Sequence, residues 1–152
     1  MPISSQNADR LERQLPEKLG MRIIVDTNLW VSFLIGKRLA HLNLILTTPG
    51  ITVIYSKEIL AEIEEVCARP KLRKLISTAN VHNFIVLIRQ TGECCKIVSN
   101  ISNCRDKDDD FLLNLSCDSN ADYIVTGDDD LLSMKVYKKT KIINFRDLEK
   151  LI

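Results

Sequence analysis

The chain has no excess of charge of either sign and no long apolar run. Its 21 basic and 20 acidic side chains leave a net charge of +1, so no global field attracts nucleic acid and such binding must use local patches. No apolar stretch approaches the roughly 18 residues of a membrane span, and the N-terminus has no signal-peptide core. We therefore expect a cytoplasmic protein without a membrane segment.

Cysteine, histidine and glycine are too few or too scattered for the sites that they usually form. The five cysteines include no C-x-x-C pair and only two histidines accompany them, so neither structural zinc nor a disulfide framework is expected. The five glycines form no G-x-G-x-x-G pattern and no phosphate-binding loop. Both histidines lie outside the motifs described below, which excludes a nucleophile–histidine pair there.

The chain does have an alternation of strand-like and helix-like segments. Its 152 residues suffice for one domain, which we expect over residues 21–152 after a polar extension at residues 1–20. The apolar pattern predicts strands near residues 22–26, 51–54, 95–98, 122–126 and 141–143, and helices near 29–36, 39–47, 56–68, 71–77, 78–91, 109–119, 128–134 and 145–151. This order predicts an α/β fold with a parallel sheet flanked by helices.

Carboxylates follow two of these strands and open one of the helices. One apolar run stops at Asp26 and another, ending in Thr126-Gly127, stops at Asp128. Four acids open the helix near residues 109–119, namely Asp106, Asp108, Asp109 and Asp110. Sites in parallel sheets form outside the carboxyl ends of the strands, so these acids are expected to share one pocket. Hard divalent cations prefer such oxygen ligands, which indicates metal-assisted attack of water on a phosphodiester.

Helix capping is the alternative interpretation of these acids. Asp26 and Asp128 each precede a predicted helix, where a carboxylate caps free N–H groups. Capping needs only one or two of the four acids near residue 109, and the surplus costs like-charge repulsion unless a cation balances it. Glu62 lies at the border of the buried stripe of the helix near residues 56–68, where a site carboxylate and a solvated glutamate both fit the pattern.

These segments together resemble the successive motifs of PIN-domain ribonucleases, in the branch that contains toxins of toxin–antitoxin pairs. The resemblance covers residues 21–152 and is carried by Val25-Asp26-Thr27-Asn28, by Ser56 with Glu62, by Arg105-Asp106-x-Asp108-Asp109 and by the segment from Ala121 to Leu132. It implies a three-layer α/β/α sandwich with about five mainly parallel strands. It also implies a Mg²⁺- or Mn²⁺-dependent endoribonuclease for single-stranded RNA, a cognate antitoxin protein and a homodimer.

The resemblance assigns roles residue by residue. It places catalytic acids at Asp26, Glu62, Asp109 and Asp128, with Asp26, Asp109 and Asp128 holding the metal, and supporting polar residues at Asn28, Thr126, Asp106 and Asp130. Apart from the resemblance, the charge pattern shows two basic patches that are expected to bind the RNA backbone: Lys135, Lys138, Lys139 and Lys141, and Arg69, Lys71, Arg73 and Lys74. The alternative for each patch is a solvated surface.

Two other functions compete with this interpretation. An aspartate-nucleophile phosphatase would use Asp26, but that class needs a second acid two residues later, where this chain has Asn28. A PIN-like domain could also be a non-catalytic RNA- or protein-binding module whose acids only cap helices. Loss of one of the four acids would favour the binding module, and all four are present.

Overall fold

A computed structural model describes residues 20–99 and 107–152, without the side chains of residues 39 and 107–110. The extension expected at residues 1–20 therefore lies outside the described residues, apart from Gly20. Within the described ranges, no helix has the length and apolar character needed to cross a membrane.

Six strands form one sheet, in the order β3-β2-β1-β4-β6-β5. They are β1 (Met21–Val25), β2 (Ile51–Tyr55), β3 (Glu93–Cys94), β4 (Tyr123–Val125), β5 (Val136–Tyr137) and β6 (Thr140–Ile143). Every neighbouring pair is parallel except β5 with β6, which is antiparallel. The sheet is thus mainly parallel, as the alternation of strands and helices predicts.

Eight helices connect and flank these strands in the described part of the chain. They are α1 (Thr27–Ile35), α2 (Leu39–Thr47), α3 (Lys57–Cys67), α4 (Pro70–Arg73), α5 (Thr78–Thr91), α6 (Lys107–Ser119), α7 (Asp129–Met134) and α8 (Phe145–Leu151). Helix α3 packs against α1 and α5, while α7 contacts β6.

The central strand β1 shows that both faces of the sheet are covered. Its consecutive side chains Ile23, Ile24 and Val25 are all 0% exposed, as are Ile124 and Val125 of the neighbouring strand β4. Successive side chains of a strand point to opposite faces, so a run of buried residues requires helices on each side. The three-layer α/β/α fold is confirmed.

Short polar caps start the helices directly after the strands. Asp26 follows β1 and caps α1, Ser56 follows β2 and caps α3, and Asn144 follows β6 and caps α8. The oxygen of each side chain accepts a backbone N–H in the first turn, which satisfies a donor that the helix cannot. These one-residue connections bring polar side chains to the carboxyl edge of the sheet.

Two predicted elements differ from the structure, and one strand of the structure was not predicted. The strand predicted at residues 95–98 forms two residues earlier, as β3. Strand β2 ends at Tyr55, and the last hydrogen bond of its pairing with β3 runs from Cys95 N to Tyr55 O at 2.8 Å. The helix predicted at residues 71–77 is only α4, since Ser77 becomes the N-cap of α5. Strand β5 was not predicted, because two residues are too few to show an alternating pattern.

Candidate active site

The carboxyl group of Asp26 lies at the centre of the carboxyl edge. The backbone N–H of Asp26 donates to Val125 O at 2.9 Å, which extends the pairing of β1 with β4 by one residue. The residue is 5% exposed, an unusual degree of burial for an aspartate. It therefore does more than a solvated helix cap requires.

A threonine from the neighbouring strand end fixes the orientation of this carboxyl group. Thr126 is buried, and its hydroxyl donates to Asp26 Oδ2 at 2.8 Å. The other oxygen, Oδ1, accepts the backbone N–H of Asn28 at 3.2 Å. One bond thus comes from the first turn of α1 and the other from the end of β4, where Thr126 lies 100 positions away from Asp26 in the chain.

The same threonine joins Asp128 to Asp26. Thr126 Oγ1 accepts the backbone N–H of Asp128 at 3.0 Å, so one hydroxyl connects both segments. Asp128 is half-buried and caps α7, its Oδ1 accepting the backbone N–H of Asp130 at 2.8 Å. The structure thus places Asp26, Thr126 and Asp128 next to one another.

Glu62 approaches the same edge from helix α3. Thr27, which follows Asp26 and is fully buried, donates from its hydroxyl to Glu62 Oε2 at 3.2 Å. Glu62 itself is half-buried. Of the two interpretations of Glu62, the structure therefore favours a carboxylate that faces the site over one that faces only solvent. The role of Thr27 was missed, because nothing in the sequence shows that α1 and α3 lie next to each other.

The remaining predicted acids are only partly described. Asp106 lies outside the described residues, and so does the side chain of Asp109. The backbone of residue 109 belongs to the first turn of α6. Only three residues separate the end of α6 from the start of β4, and α6 packs against that strand, so its first turn points toward the carboxyl edge. Asn28 and Asp130, predicted as supporting residues, are exposed next to Asp26 and Asp128.

Burial governs the protonation of Asp26. Desolvation raises the pKa of its carboxyl above the ordinary value, and the hydrogen bonds from Thr126 and Asn28 only partly oppose this rise. The negative charge of Asp128 raises the pKa further. A cation bound between the two carboxyl groups would offset both the desolvation of Asp26 and its repulsion by Asp128.

The described residues fit a divalent cation only in combination with a further ligand. Among the side chains that the structure describes, no three of His, Cys, Asp and Glu are grouped closely enough to hold a metal ion. In the same part of the chain, Asp26 forms no ion pair. Each oxygen of Asp26 accepts one hydrogen bond, so each keeps a lone pair for an ion.

The predicted basic residues do not surround this site. Lys138 and Lys139 form the turn between β5 and β6, and β6 runs parallel to β4, so the turn lies at the amino edge of the sheet. Lys135 follows α7 and is exposed. Arg73 and Lys74 lie beyond the end of α3 that is remote from β2. RNA contact through these residues stays a prediction, and for Lys138 and Lys139 it would occur away from the carboxylates.

Comparison with known proteins gives the family to which this architecture belongs. A family model described as the PIN domain matches residues 22–130. An uncharacterized protein of Methanocaldococcus jannaschii is 33% identical over 132 residues, which cover 84% of this chain and 84% of that protein. The chain belongs to the PIN domain family. Proteins of this family are generally nucleases and typically use divalent metals.

Proposed function

We propose that this protein is a Mg²⁺- or Mn²⁺-dependent endoribonuclease that cleaves single-stranded RNA and is the toxin of a toxin–antitoxin pair. The observation that carries the proposal is the buried carboxyl group of Asp26, which no cation of the described residues neutralises and which faces Asp128. A purely capping aspartate has no reason to be placed next to a second carboxylate, because the repulsion opposes its ionisation.

Asp26, Asp109 and Asp128 are the proposed metal ligands. The lone pairs left on Asp26 and the half-buried position of Asp128 support two of them. The resemblance of the motifs and the placement of the first turn of α6 support Asp109. A bound divalent cation would lower the pKa of a coordinated water and offset charge on the phosphodiester.

The other residues would orient the reacting groups. The Thr126 hydroxyl keeps Asp26 Oδ2 in place and ties the Asp128 backbone to it, so the two carboxyl groups keep a fixed separation. Glu62, held by Thr27, would accept a hydrogen bond from the attacking water and so aim it at the phosphorus. Asn28, with its exposed amide, would donate to a phosphate oxygen. Asp106 and Asp130 would complete the polar surroundings.

Cleavage of single-stranded RNA tests this proposal. We expect hydrolysis with Mg²⁺ or Mn²⁺ and none with a chelator. Asp128→Asn should lower the rate by at least about 100-fold, since even the groups that only orient metal ligands contribute about 10- to 100-fold. Asp129→Asn, which removes the same charge from the adjacent exposed residue, is the matched control and should stay close to wild type.

Two results would contradict the proposal. Equal cleavage in the presence of chelator would exclude the metal-dependent mechanism. Absence of cleavage of any RNA by folded protein with metal present would favour the alternative of a non-catalytic RNA- or protein-binding module.

The toxin role, the antitoxin partner and the homodimer are supported by the resemblance of the motifs to the toxin branch. Expression of the chain alone should arrest growth, and co-expression with the product of a short neighbouring reading frame that carries a DNA-binding pattern should restore it. Growth arrest by the Asp128→Asn variant would show that any toxicity is independent of cleavage.

A further inference from the structure

A groove of about 650 Å³ lies at the amino edge of the sheet, opposite the carboxylates. Its walls come from the end of α6 with the residues that follow it, and from the hairpin of β5 and β6. Ala121 and Tyr137 are buried within its lining, while Lys138 and Lys139 are exposed. The groove has the size of a ligand-binding cleft and a positively charged wall.

Neither lysine forms an ion pair within the described residues, although the charge of Lys138 acts on the Asp118 carboxylate of α6 and helps to lower its pKa. In the described ranges of the chain, the one ion pair joins Arg22 to Glu93. Asp122, the carboxylate in the lining, accepts the backbone N–H of Arg22 at 2.8 Å through its Oδ2. Lys138 and Lys139 therefore present their ammonium groups to an anion from outside the domain.

The hairpin holds these lysines in a fixed position. Tyr137 and Thr140 are paired across the antiparallel strands, so Lys138 and Lys139 form a two-residue turn. Lys138 has φ 53°, a left-handed conformation that glycine and asparagine adopt more readily than lysine. Its ammonium also lies 5.7 Å from the centroid of the Tyr137 ring, within the range of a cation–π contact. Lysine therefore places a positive charge at a position whose backbone conformation would suit glycine or asparagine better.

We propose that this groove binds the phosphodiester backbone of single-stranded RNA at a distance from the cleavage site. The proposal rests on the proposed ribonuclease function and adds a second contact for the same substrate. Asp122 and Thr126 bracket β4, and a strand rises about 3.3 Å per residue, so the groove and the carboxylate edge are separated by roughly 13 Å. A short RNA reaches only one of the two places, whereas a longer RNA contacts both.

The experiment measures binding of single-stranded RNA oligonucleotides of increasing length by fluorescence anisotropy. All proteins carry Asp128→Asn and the buffer contains a chelator, so that binding is read without cleavage. The test variant is Lys138→Asn with Lys139→Gln, because asparagine suits the left-handed conformation at residue 138 and keeps the hairpin folded. The control is Arg89→Gln with Lys150→Gln, which removes the same charge from exposed residues on α5 and α8 that lie outside both basic patches.

For long RNA, the test variant should raise Kd by about tenfold at low salt and flatten the dependence of log K on log salt by about 1.4, the value for two lost single-strand phosphate contacts. The difference from the parent should shrink as the RNA is shortened. An unchanged Kd and salt slope, or an equal change in the control, would overturn the proposal. Lysine-dependent binding without cleavage by the wild type would instead overturn the ribonuclease function and leave the groove as an RNA site.

Discussion

Replacing Asp26 by asparagine distinguishes a metal ligand from a helix cap. The carboxylate accepts hydrogen bonds from Thr126 and Asn28, and an amide has only one oxygen, so the variant loses one of them, at a cost of about 1 kcal/mol. The variant also removes a buried negative charge that faces Asp128. Without metal, we therefore expect Asp26→Asn to be as stable as the wild type near neutral pH, or more stable.

The pH dependence of this difference has a defined sign. Since folding raises the pKa of Asp26, the folded protein favours the protonated carboxyl group. The stability contributed by that form is complete below the pKa of the unfolded chain, about 3.9, and is lost as pH rises through the folded pKa. Asparagine does not titrate. The stability of metal-free wild type relative to Asp26→Asn should therefore fall as pH increases over this interval.

Metal reverses the order of stability. An ion at 100 times its Kd stabilises the native state by about 2.7 kcal/mol. For a chain of this length, 1 kcal/mol corresponds to roughly 2–4 °C in Tm, so the expected rise is roughly 5–11 °C. Asp26→Asn and Asp128→Asn should each lose most of this rise, because each removes a proposed ligand.

Melting curves with Mg²⁺ or Mn²⁺ and with chelator measure the effect, and Asp129→Asn serves as the control with the same loss of charge at an exposed position. A pure capping role predicts nearly neutral changes in both conditions, since asparagine caps about as well as aspartate. If both site variants keep the metal-induced rise of the wild type, the proposed metal site does not exist.

Two further variants test the connections of the fold around the site. Thr126→Val keeps the shape of the side chain but removes the hydroxyl that donates to Asp26. We expect a further rise in the pKa of Asp26, measured as a shift of the pH–activity profile to higher pH. The free energy of unfolding in urea should fall by about 1–3 kcal/mol. Asp118, on α6, accepts the hydroxyl of Ser99 and the backbone N–H groups of Ser99 and Val98, the last two at 2.9 and 2.7 Å. Although burial opposes its ionisation, these bonds, the Ser99 hydroxyl first, and the charge of Lys138 lower its pKa. The stability that the ionised Asp118 contributes is therefore present above the pKa of the unfolded chain and is lost as pH falls through the folded pKa. Asp118→Asn should lower the free energy of unfolding by about 1–2 kcal/mol at neutral pH and by progressively less below about pH 4. An equal loss at neutral and at acidic pH would refute this assignment.

Local sequence patterns predict most of the elements because each depends on residues close in the chain. The buried run at Ile23–Val25 and the helix from Lys57 follow from apolar periodicity and from the Ser56 cap. Asp26 and Asp128 lie at the carboxyl edge because Asp26 comes directly after the apolar run of β1, and Asp128 comes after the apolar run of β4 and the short turn that ends it. Strand β5 has no such pattern, since a two-residue strand exists only through its pairing with β6.

The sequence by itself determined the mainly parallel α/β fold and the candidate acids, because strand runs, caps and the order of elements are encoded locally. Tertiary structure decided what those acids experience. Burial raises the pKa of Asp26, and the bond from Thr126 crosses 100 positions of sequence, because desolvation and long-range contacts arise only when β1 and β4 pair. Tertiary structure also decided that Lys138 and Lys139 lie at the opposite edge from the carboxylates, because the direction of β6 in the sheet fixes where its preceding turn is placed.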